Sequence, residues 1–270
     1  METTTGIREI EKLLTAHKQR EGGGFIVRRP FPGLGMMAVD PFLLLDEMGP
    51  VDYAPGEAVG APDHPHRGFE TVTYVLEGEM EHEDSAGHRG SLRAGDVQWM
   101  TAGAGIIHAE MPWRALREHG GRVHGFQVWV NLPAALKMTT PRYQEISGAG
   151  IPQAQTADGR ARVRVVAGEA LGARAVIATH TPIVYQDWSL APDGDVTIPI
   201  GRDHTTLAYV FEGSVLIGER EGGRAVGDGQ MALLGAGDSA SACVAPRAAA
   251  ACCCWRAYRS ANRSRATVRS

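Results

Sequence analysis

The chain has 270 residues and a formal net charge of −4 at pH 7, with 43% hydrophobic and 21% charged residues. This charge gives no general attraction to nucleic acid, and no stretch reads as a membrane helix or a signal peptide. We therefore expect a cytoplasmic protein with no membrane partner and no direct nucleic-acid partner. The 34 glycines favour a turn-rich β protein.

The first predicted strands follow a polar N-terminal segment. Thr3–Glu21 is polar, so we expect a short helix or a frayed segment there, ended by three glycines. Strands are predicted at Phe25–Arg29, at Phe42–Asp46 and at Thr71–Leu76. The last of these combines β-branched and aromatic residues with a glycine turn, which is typical of a strand that enters a hairpin.

Two pairs of metal-binding residue types lie at the ends of the next stretch. His64 and His66 form one pair, and His108 and Glu110 form the other. Alternate residues of an extended strand share a face, so the members of each pair point the same way. A single His-x-His occurs by chance, but two such pairs beside glycine turns are harder to explain that way. A barrel that joined them would enclose three imidazoles and one carboxylate, which suit iron, manganese, nickel, copper or zinc.

Four other histidines of this half are interpreted as structural or solvated rather than as ligands: His82, His88, His119 and His124. His82 lies in an acidic segment that has the composition of a solvated hairpin. His119 precedes two glycines in a loop, and His124 begins a strand.

The rest of this half consists of short predicted strands at regular intervals, separated by glycine turns. This spacing is typical of a jelly-roll sandwich or barrel. A short helical turn is predicted at Pro133–Lys137. The composition of Ser147–Pro152 marks the best domain boundary, which gives domains of residues 1–146 and 147–270.

An internal repeat relates the two halves. Thr73–Gly78 resembles Ala208–Gly213, and Ala94–Asp96 resembles Ala236–Asp238. The second half therefore repeats the fold of the first.

The second half is not expected to bind metal. Equal distances from the repeated motifs place Pro199 and Gly201 where the first half has two histidines, and Ala250 where it has His108. His204 lies nearby without a matching ligand, so we interpret it as structural.

Several long motifs of the chain resemble the pirin family of the cupin superfamily: Asp40–Asp46, Asp63–Tyr74, Gly95–Gly103, Gly105–Pro112 and Gln127–Pro133. The resemblance runs from about residue 10 to about residue 238. It implies an all-β fold of two tandem cupin (jelly-roll) barrels with short peripheral helices. The first barrel would bind metal, and the second would be free of metal.

The resemblance also implies an iron ion, with other divalent transition metals as alternatives. The family's four ligands fall on His64, His66, His108 and Glu110 without a departure. Glu110 would also act as a catalytic base. Other cupins take a ligand from the position of Glu70, which is here expected to play a supporting role.

Two functions from different classes follow from the resemblance. One is a flavonol (quercetin) 2,3-dioxygenase that acts on a small flavonol-like substrate with dioxygen. The alternative is a non-enzymatic, iron- and redox-dependent regulator that binds a protein partner, either a transcription factor or a metabolic enzyme. A third option is a cupin whose metal only stabilises the barrel.

Residues around the ligands are expected to orient or enclose them. Ligating histidines and carboxylates usually hydrogen-bond to neighbours, and Glu70, Gln98 and Gln127 are the candidates. Each could equally have only a structural role. Four further large side chains are expected to line or pack the barrel: Trp99, Met100, Phe126 and Trp129.

The sequence departs from the family pattern from about Ser239. Ala248–Trp255 is a run of alanine and cysteine, and an arginine- and serine-rich tail follows it. We hypothesise a frameshift in the gene, because the alternative frame would encode a leucine-rich strand. The second domain would then be incomplete and would lack its last strand.

Overall fold

The computed structural model describes residues 6–33, 38–219, 222–235, 240–244 and 250–258. The described residues form two compact units. The first unit comprises residues 17–150, and the second comprises residues 6–16 together with residues 151–258. From the sequence, by contrast, we expect the N-terminal segment to belong to the first domain.

The first unit consists of eleven strands, numbered along the chain after β1 (Ile10–Thr15), which belongs to the second unit. They are β2 (His17–Glu21), β3 (Phe25–Phe31), β4 (Phe42–Tyr53), β5 (Ala61–His66), β6 (Phe69–Glu77), β7 (Glu79–Asp84), β8 (Arg89–Arg93), β9 (Val97–Thr101), β10 (Ile106–Pro112), β11 (Gly121–Asn131) and β12 (Arg142–Ile146). The three strands predicted near the N-terminus and the middle of this unit are confirmed as parts of β3, β4 and β6.

These strands form two antiparallel sheets. The larger sheet has the order β12-β9-β6-β11-β4-β3-β2, and the smaller has the order β5-β10-β7-β8. Side chains of the two sheets meet between them, since Thr73 of β6 donates a hydrogen bond to Glu110 of β10. The predicted ligand pairs lie on β5 and β10, which are neighbours in the smaller sheet.

Helical structure in the described residues is short, as predicted. Helix α1 covers Arg114–His119, and 3-10 turns cover Ala134–Leu136 and Gly148–Gly150. The first 3-10 turn confirms the helical turn predicted at Pro133–Lys137. In the part of the chain that the structure describes, no helix has both the length and the apolar character needed to cross a membrane.

The second unit contains β1 and a further set of strands. They are β13 (Gln153–Gln155), β14 (Ala161–Ala167), β15 (Glu169–Ala170), β16 (Ala173–Arg174), β17 (Ile183–Leu190), β18 (Asp195–Pro199), β19 (His204–Glu212), β20 (Ser214–Ile217), β21 (Arg224–Gly227), β22 (Gln230–Leu234), β23 (Ala240–Val244) and β24 (Ala250–Tyr258). Its two main sheets have the orders β1-β22-β19-β24-β17-β14-β13 and β18-β23-β20-β21.

The two units share one topology, as the internal repeat predicted. The repeated motifs Thr73–Gly78 and Ala208–Gly213 begin on β6 and β19, which are each the third strand of a seven-stranded sheet. The matching segment Ala236–Asp238 lies outside the described residues.

The N-terminal segment differs from the prediction of a helix or a frayed end. Residues Ile10–Thr15 form β1, which pairs antiparallel with β22. Ile10 and Leu13 pack against the apolar core of the second unit. This burial and the sheet hydrogen bonds outweigh the weak helical preference of a polar segment.

The C-terminal segment also differs from the expectation of a missing last strand. Ala250–Tyr258 forms β24, which pairs with β17 on one side and β19 on the other. The alanine and cysteine run therefore supplies the central strand of its sheet. The hypothesis of a frameshift in the gene stays a prediction.

Candidate metal centre

The two predicted ligand strands lie side by side. β10 pairs antiparallel with β5, and His108 is directly opposite His64 in the register. Ile106 is opposite His66. Because His64 and His66 alternate along β5, both imidazoles share the face on which His108 projects. The strand pairing thus gathers three histidines that are up to 44 positions apart in the sequence.

The three imidazole rings form a compact group. Their centroids are 4.7 Å apart for His64 and His66, 4.6 Å for His64 and His108, and 5.0 Å for His66 and His108. One ring nitrogen from each lies within 4.8 Å of the other two. Among the described residues this is the one such group of histidine, cysteine or acidic side chains.

The hydrogen bonding of these rings suits a transition-metal ion. Nε2 of His66 and both ring nitrogens of His108 are buried without a hydrogen-bond partner. Buried polar atoms are normally satisfied, and a metal ion would satisfy Nε2 of His66 together with one of the two ring nitrogens of His108. Nδ1 of His64 lies 2.8 Å from the carbonyl oxygen of Pro62. If Nδ1 carries the proton, Nε2 keeps its lone pair for a metal.

Two of the three rings, those of His66 and His108, are held in the neutral form that binds metals. Burial, together with the neighbouring rings of His108 and His64, lowers the pKa of His66 to about 3. Burial likewise lowers the pKa of His108, although the charge of Glu110 opposes this shift. At neutral pH no proton therefore competes for the nitrogen lone pairs of these two residues.

Glu110, the predicted fourth ligand, lies beside the histidine group. Its Oε2 atom is 3.9 Å from Nε2 of His108. The hydroxyl of Thr73 donates to Oε1 at 3.0 Å, and Nε2 of Gln127 donates to Oε2 at 3.4 Å. The carboxylate is thus held at the edge of the group and is not one of its three members.

The supporting residues predicted from the sequence divide by their contacts. Gln127 reaches Glu110, as described above. Glu70 is fully buried and accepts a hydrogen bond from the Thr101 hydroxyl at 2.7 Å. Gln98 donates to Glu145 at 2.8 Å. Thr73, which the sequence analysis missed, is a second contact of Glu110, and its position opposite Gln127 could be found only from the strand register.

The large side chains expected around the barrel also divide into two sets. Trp129 faces the histidines, with its ring centroid 5.2 Å from that of His66, and it packs on Phe69 at 4.7 Å. The side chains of Trp99, Met100 and Phe126 are completely buried. Of these four side chains, Trp129 is therefore the one that can touch a ligand that enters the site.

Two of the four other histidines, His82 and His124, are buried. The prediction that His82 lies in a solvated hairpin is therefore wrong for its side chain. His82 is 6% exposed, and its ring stacks on Tyr143 with centroids 5.5 Å apart. It faces inward because β7 pairs with β10 and places His82 opposite Glu110. His124 is also buried, with Nε2 2.8 Å from Oε1 of Glu47. The side chains of His88 and His119 are exposed.

The histidine group opens into a cavity of about 1110 Å³ within the first unit. This volume is slightly above the usual range of about 300–1,000 Å³ for small-molecule sites. His64, His66 and Glu110 lie in its wall, which is otherwise largely aromatic and aliphatic. Lys137 also lines the cavity and donates from Nζ to the carbonyl oxygen of Gly68 at 2.9 Å, which fixes the turn after His66.

The corresponding interior of the second unit is apolar. Val196, Ile198 and Ile200 belong to its buried core, on and just after the strand that corresponds to β5. The counterpart of β10 is β23, because each is the second strand of a four-stranded sheet. Ala250, which the spacing equated with His108, instead lies on β24.

Comparisons with known proteins agree with this geometry. A sequence model described as Pirin matches residues 24–130. Pirin of Homo sapiens is 42% identical over 233 residues, which cover 86% of this chain and 76% of that protein. A crystal structure of quercetin 2,3-dioxygenase from Acinetobacter baumannii has a TM-score of 0.86 and 34% identity, and covers 94% of this chain and 88% of its own.

A bacterial pirin from Escherichia coli, solved in complex with nickel(II), has the same fold. Its TM-score is 0.69 at 22% identity, and the match covers 92% of this chain and 99% of that one. These likenesses extend over both units and confirm the cupin fold predicted from the sequence.

Proposed function

Because this chain belongs to the pirin family, we propose that it is a mononuclear iron protein that oxygenates flavonols such as quercetin. His64, His66 and His108 would hold the iron, and Glu110 would complete the donor set. Imidazole and carboxylate donors also suit other divalent transition metals, which are alternatives to iron.

One observation carries this proposal. Three imidazoles, two of them buried with unsatisfied nitrogens, meet beside a large and mainly apolar cavity whose wall includes His64 and His66. A metal that served only to stabilise the barrel would need no such opening. A quercetin 2,3-dioxygenase is among the similar structures, which supports a planar aromatic substrate.

When bound, iron would supply a Lewis-acidic centre for a chelating 3-hydroxy-4-ketone and would support the activation of dioxygen. The chain's own residues would prepare the substrate. The Glu110 carboxylate, which Thr73 and Gln127 contact, would accept the proton of the substrate hydroxyl. Trp129 and Phe69 offer ring faces beside His66 on which the flavonol can pack.

Oxygen consumption tests the proposal directly. The full chain is loaded with iron(II) under nitrogen, freed of excess metal, and mixed with quercetin and oxygenated buffer. We expect oxygen uptake together with loss of the quercetin absorbance, and neither with the metal-free protein. No uptake with several flavonols would contradict the proposed reaction and would favour an iron-dependent regulator with a protein partner.

A further inference from the structure

The cavity contains a second polar group besides the histidines, which we call the Asp46 cluster: Glu21, Arg29 and Asp46. Nε of Arg29 donates to Oδ1 of Asp46 at 2.6 Å, and its Nη2 forms a parallel bond to Oδ2. Nη1 of Arg29 lies 2.8 Å from Oε1 of Glu21. A guanidinium thus bridges two carboxylates in the cavity wall.

This cluster is costly for the fold in the place where it occurs. Asp46 is 4% exposed and lies between Leu44 and Met48, which line the cavity from the same face of β4. Burial raises the pKa of Asp46 to about 6, even though Arg29 opposes this shift. Buried ion pairs are rarely better for stability than apolar side chains of similar size. Recognition of a ligand therefore explains the place of the Asp46 cluster in the cavity wall better than stability does.

The strand register connects Asp46 to the candidate metal centre through Gln127. Asp46 lies opposite Gln127 on β11, and Gln127 contacts Glu110. Leu44 lies opposite Trp129, whose ring contacts His66. Directly opposed residues have Cβ atoms about 5 Å apart. A flat ligand held at the histidines and packed on Trp129 would therefore extend toward Asp46.

We propose that Asp46 and Arg29 bind a phenolic hydroxyl on the part of the substrate remote from its chelating group, and so select polyhydroxylated flavonols. This inference rests on the proposed function and adds the residues that recognise the remote hydroxyl groups of the substrate. The Asp46 carboxylate accepts the phenol proton in a hydrogen bond, and the guanidinium can donate to the phenol oxygen.

The charge of the cluster favours this ligand over others. Two carboxylates and one guanidinium carry a formal charge of −1, which disfavours a carboxylate- or phosphate-bearing ligand. The cation of Arg29 already occupies the site that a cationic ligand would need. A neutral hydroxyl group fits the cluster, because it can donate to the carboxylate and accept from the guanidinium without adding charge.

An anaerobic titration tests the inference without turnover. Iron-loaded full-length chain is titrated under nitrogen with quercetin and with 3-hydroxyflavone, which keeps the chelating group and lacks all other hydroxyls. The variant Asp46→Leu/Arg29→Met removes the ion pair. The matched control is Asp52→Leu/Arg122→Met, an exposed pair 2.9 Å apart that joins β4 to β11 and so shares one strand, β4, with the Asp46 pair.

We expect the wild type and the control to bind quercetin more tightly than 3-hydroxyflavone. We compare the dissociation constant for 3-hydroxyflavone divided by that for quercetin. In Asp46→Leu/Arg29→Met this ratio falls by about tenfold or more, which is the usual effect of losing a hydrogen bond to a charged group. Asp46→Asn, which keeps the shape of the site, gives a smaller fall and covers the case in which the double variant does not fold.

Iron content is measured for each variant, so that a damaged metal site is recognised. An unchanged ratio in iron-replete Asp46→Leu/Arg29→Met and in Asp46→Asn would overturn the inference, whatever the enzyme activity. A ratio that depends on Asp46 without any oxygen uptake would support the inference and contradict the proposed reaction.

Discussion

The hydroxyl of Thr73 lies 3.0 Å from Oε1 of Glu110 and 2.7 Å from Oε1 of Gln127. Thr73 is 1% exposed and has one proton to donate, so it can bond to one of these oxygens at a time. This small polar group joins the larger sheet to the strand that carries His108. The Thr73 hydroxyl therefore helps to fix the position of the Glu110 carboxylate relative to the three imidazoles.

Thr73→Val tests this arrangement, because valine keeps the shape and removes the hydroxyl. We expect the iron content to be retained through the three histidines, and the kcat for quercetin to fall about 10- to 100-fold as Glu110 loses its position. Oxygen uptake and metal analysis measure the two effects. Thr197→Val, at an exposed position of β18, is the control and should change neither.

His108→Ala tests the metal centre itself. Removing one of three imidazoles should abolish stoichiometric iron binding, whether the protein is an enzyme or a regulator. His119→Ala, at the exposed end of α1, should keep the full iron content. A His108→Ala protein that binds iron as fully as the wild type would refute the ligand assignment.

The stability of the metal-free protein should depend on pH through His66. Its folded-state pKa of about 3 lies below its ordinary value of 6.5. Between these values the unfolded chain binds a proton that the folded chain does not, so stability falls as the pH falls through this window. The contribution is at most about 1.4 kcal/mol per pH unit.

Urea unfolding in the presence of a chelator, at pH 7 and at pH 5, measures this effect. His66→Asn should lose less stability between the two pH values than the wild type does. Equal losses in the two proteins would show that His66 is not buried in its neutral form.

Gly103 closes the turn that leads to β10. Its φ is +50°, and a Cβ at this position would lie 2.0 Å from the carbonyl oxygen of Thr139. Gly103→Ala should therefore destabilise the protein by about 3 kcal/mol or more, from backbone strain together with the clash. Gly87→Ala, at φ +89° with no atom within 4 Å, is the matched control and should cost about 1 kcal/mol. Thermal and urea unfolding compare the two, and equal losses would contradict the close approach.

Local pattern was enough to predict the ligand pairs and many of the strands. The i, i+2 spacing of His64 and His66 has a direct structural meaning once the segment is extended, and the turn glycines delimit the strands. The resemblance to a known family then supplied the fold and the iron assignment.

Contacts between distant strands could not be derived in this way. The register that places His108 opposite His64, and Thr73 opposite Gln127, depends on pairing between segments that are far apart in sequence. The inward direction of His82 follows from its pairing with Glu110, although its surroundings in sequence are acidic. Similarly, β1 joins the second unit because of long-range pairing that its polar composition does not reveal.

Anomalous diffraction at the iron absorption edge, from crystals of the iron-loaded protein, tests the central claim most directly. A single strong peak in contact with the ring nitrogens of His64, His66 and His108 is the predicted result. A peak elsewhere, or iron-loaded crystals with no peak among these three rings, would contradict it.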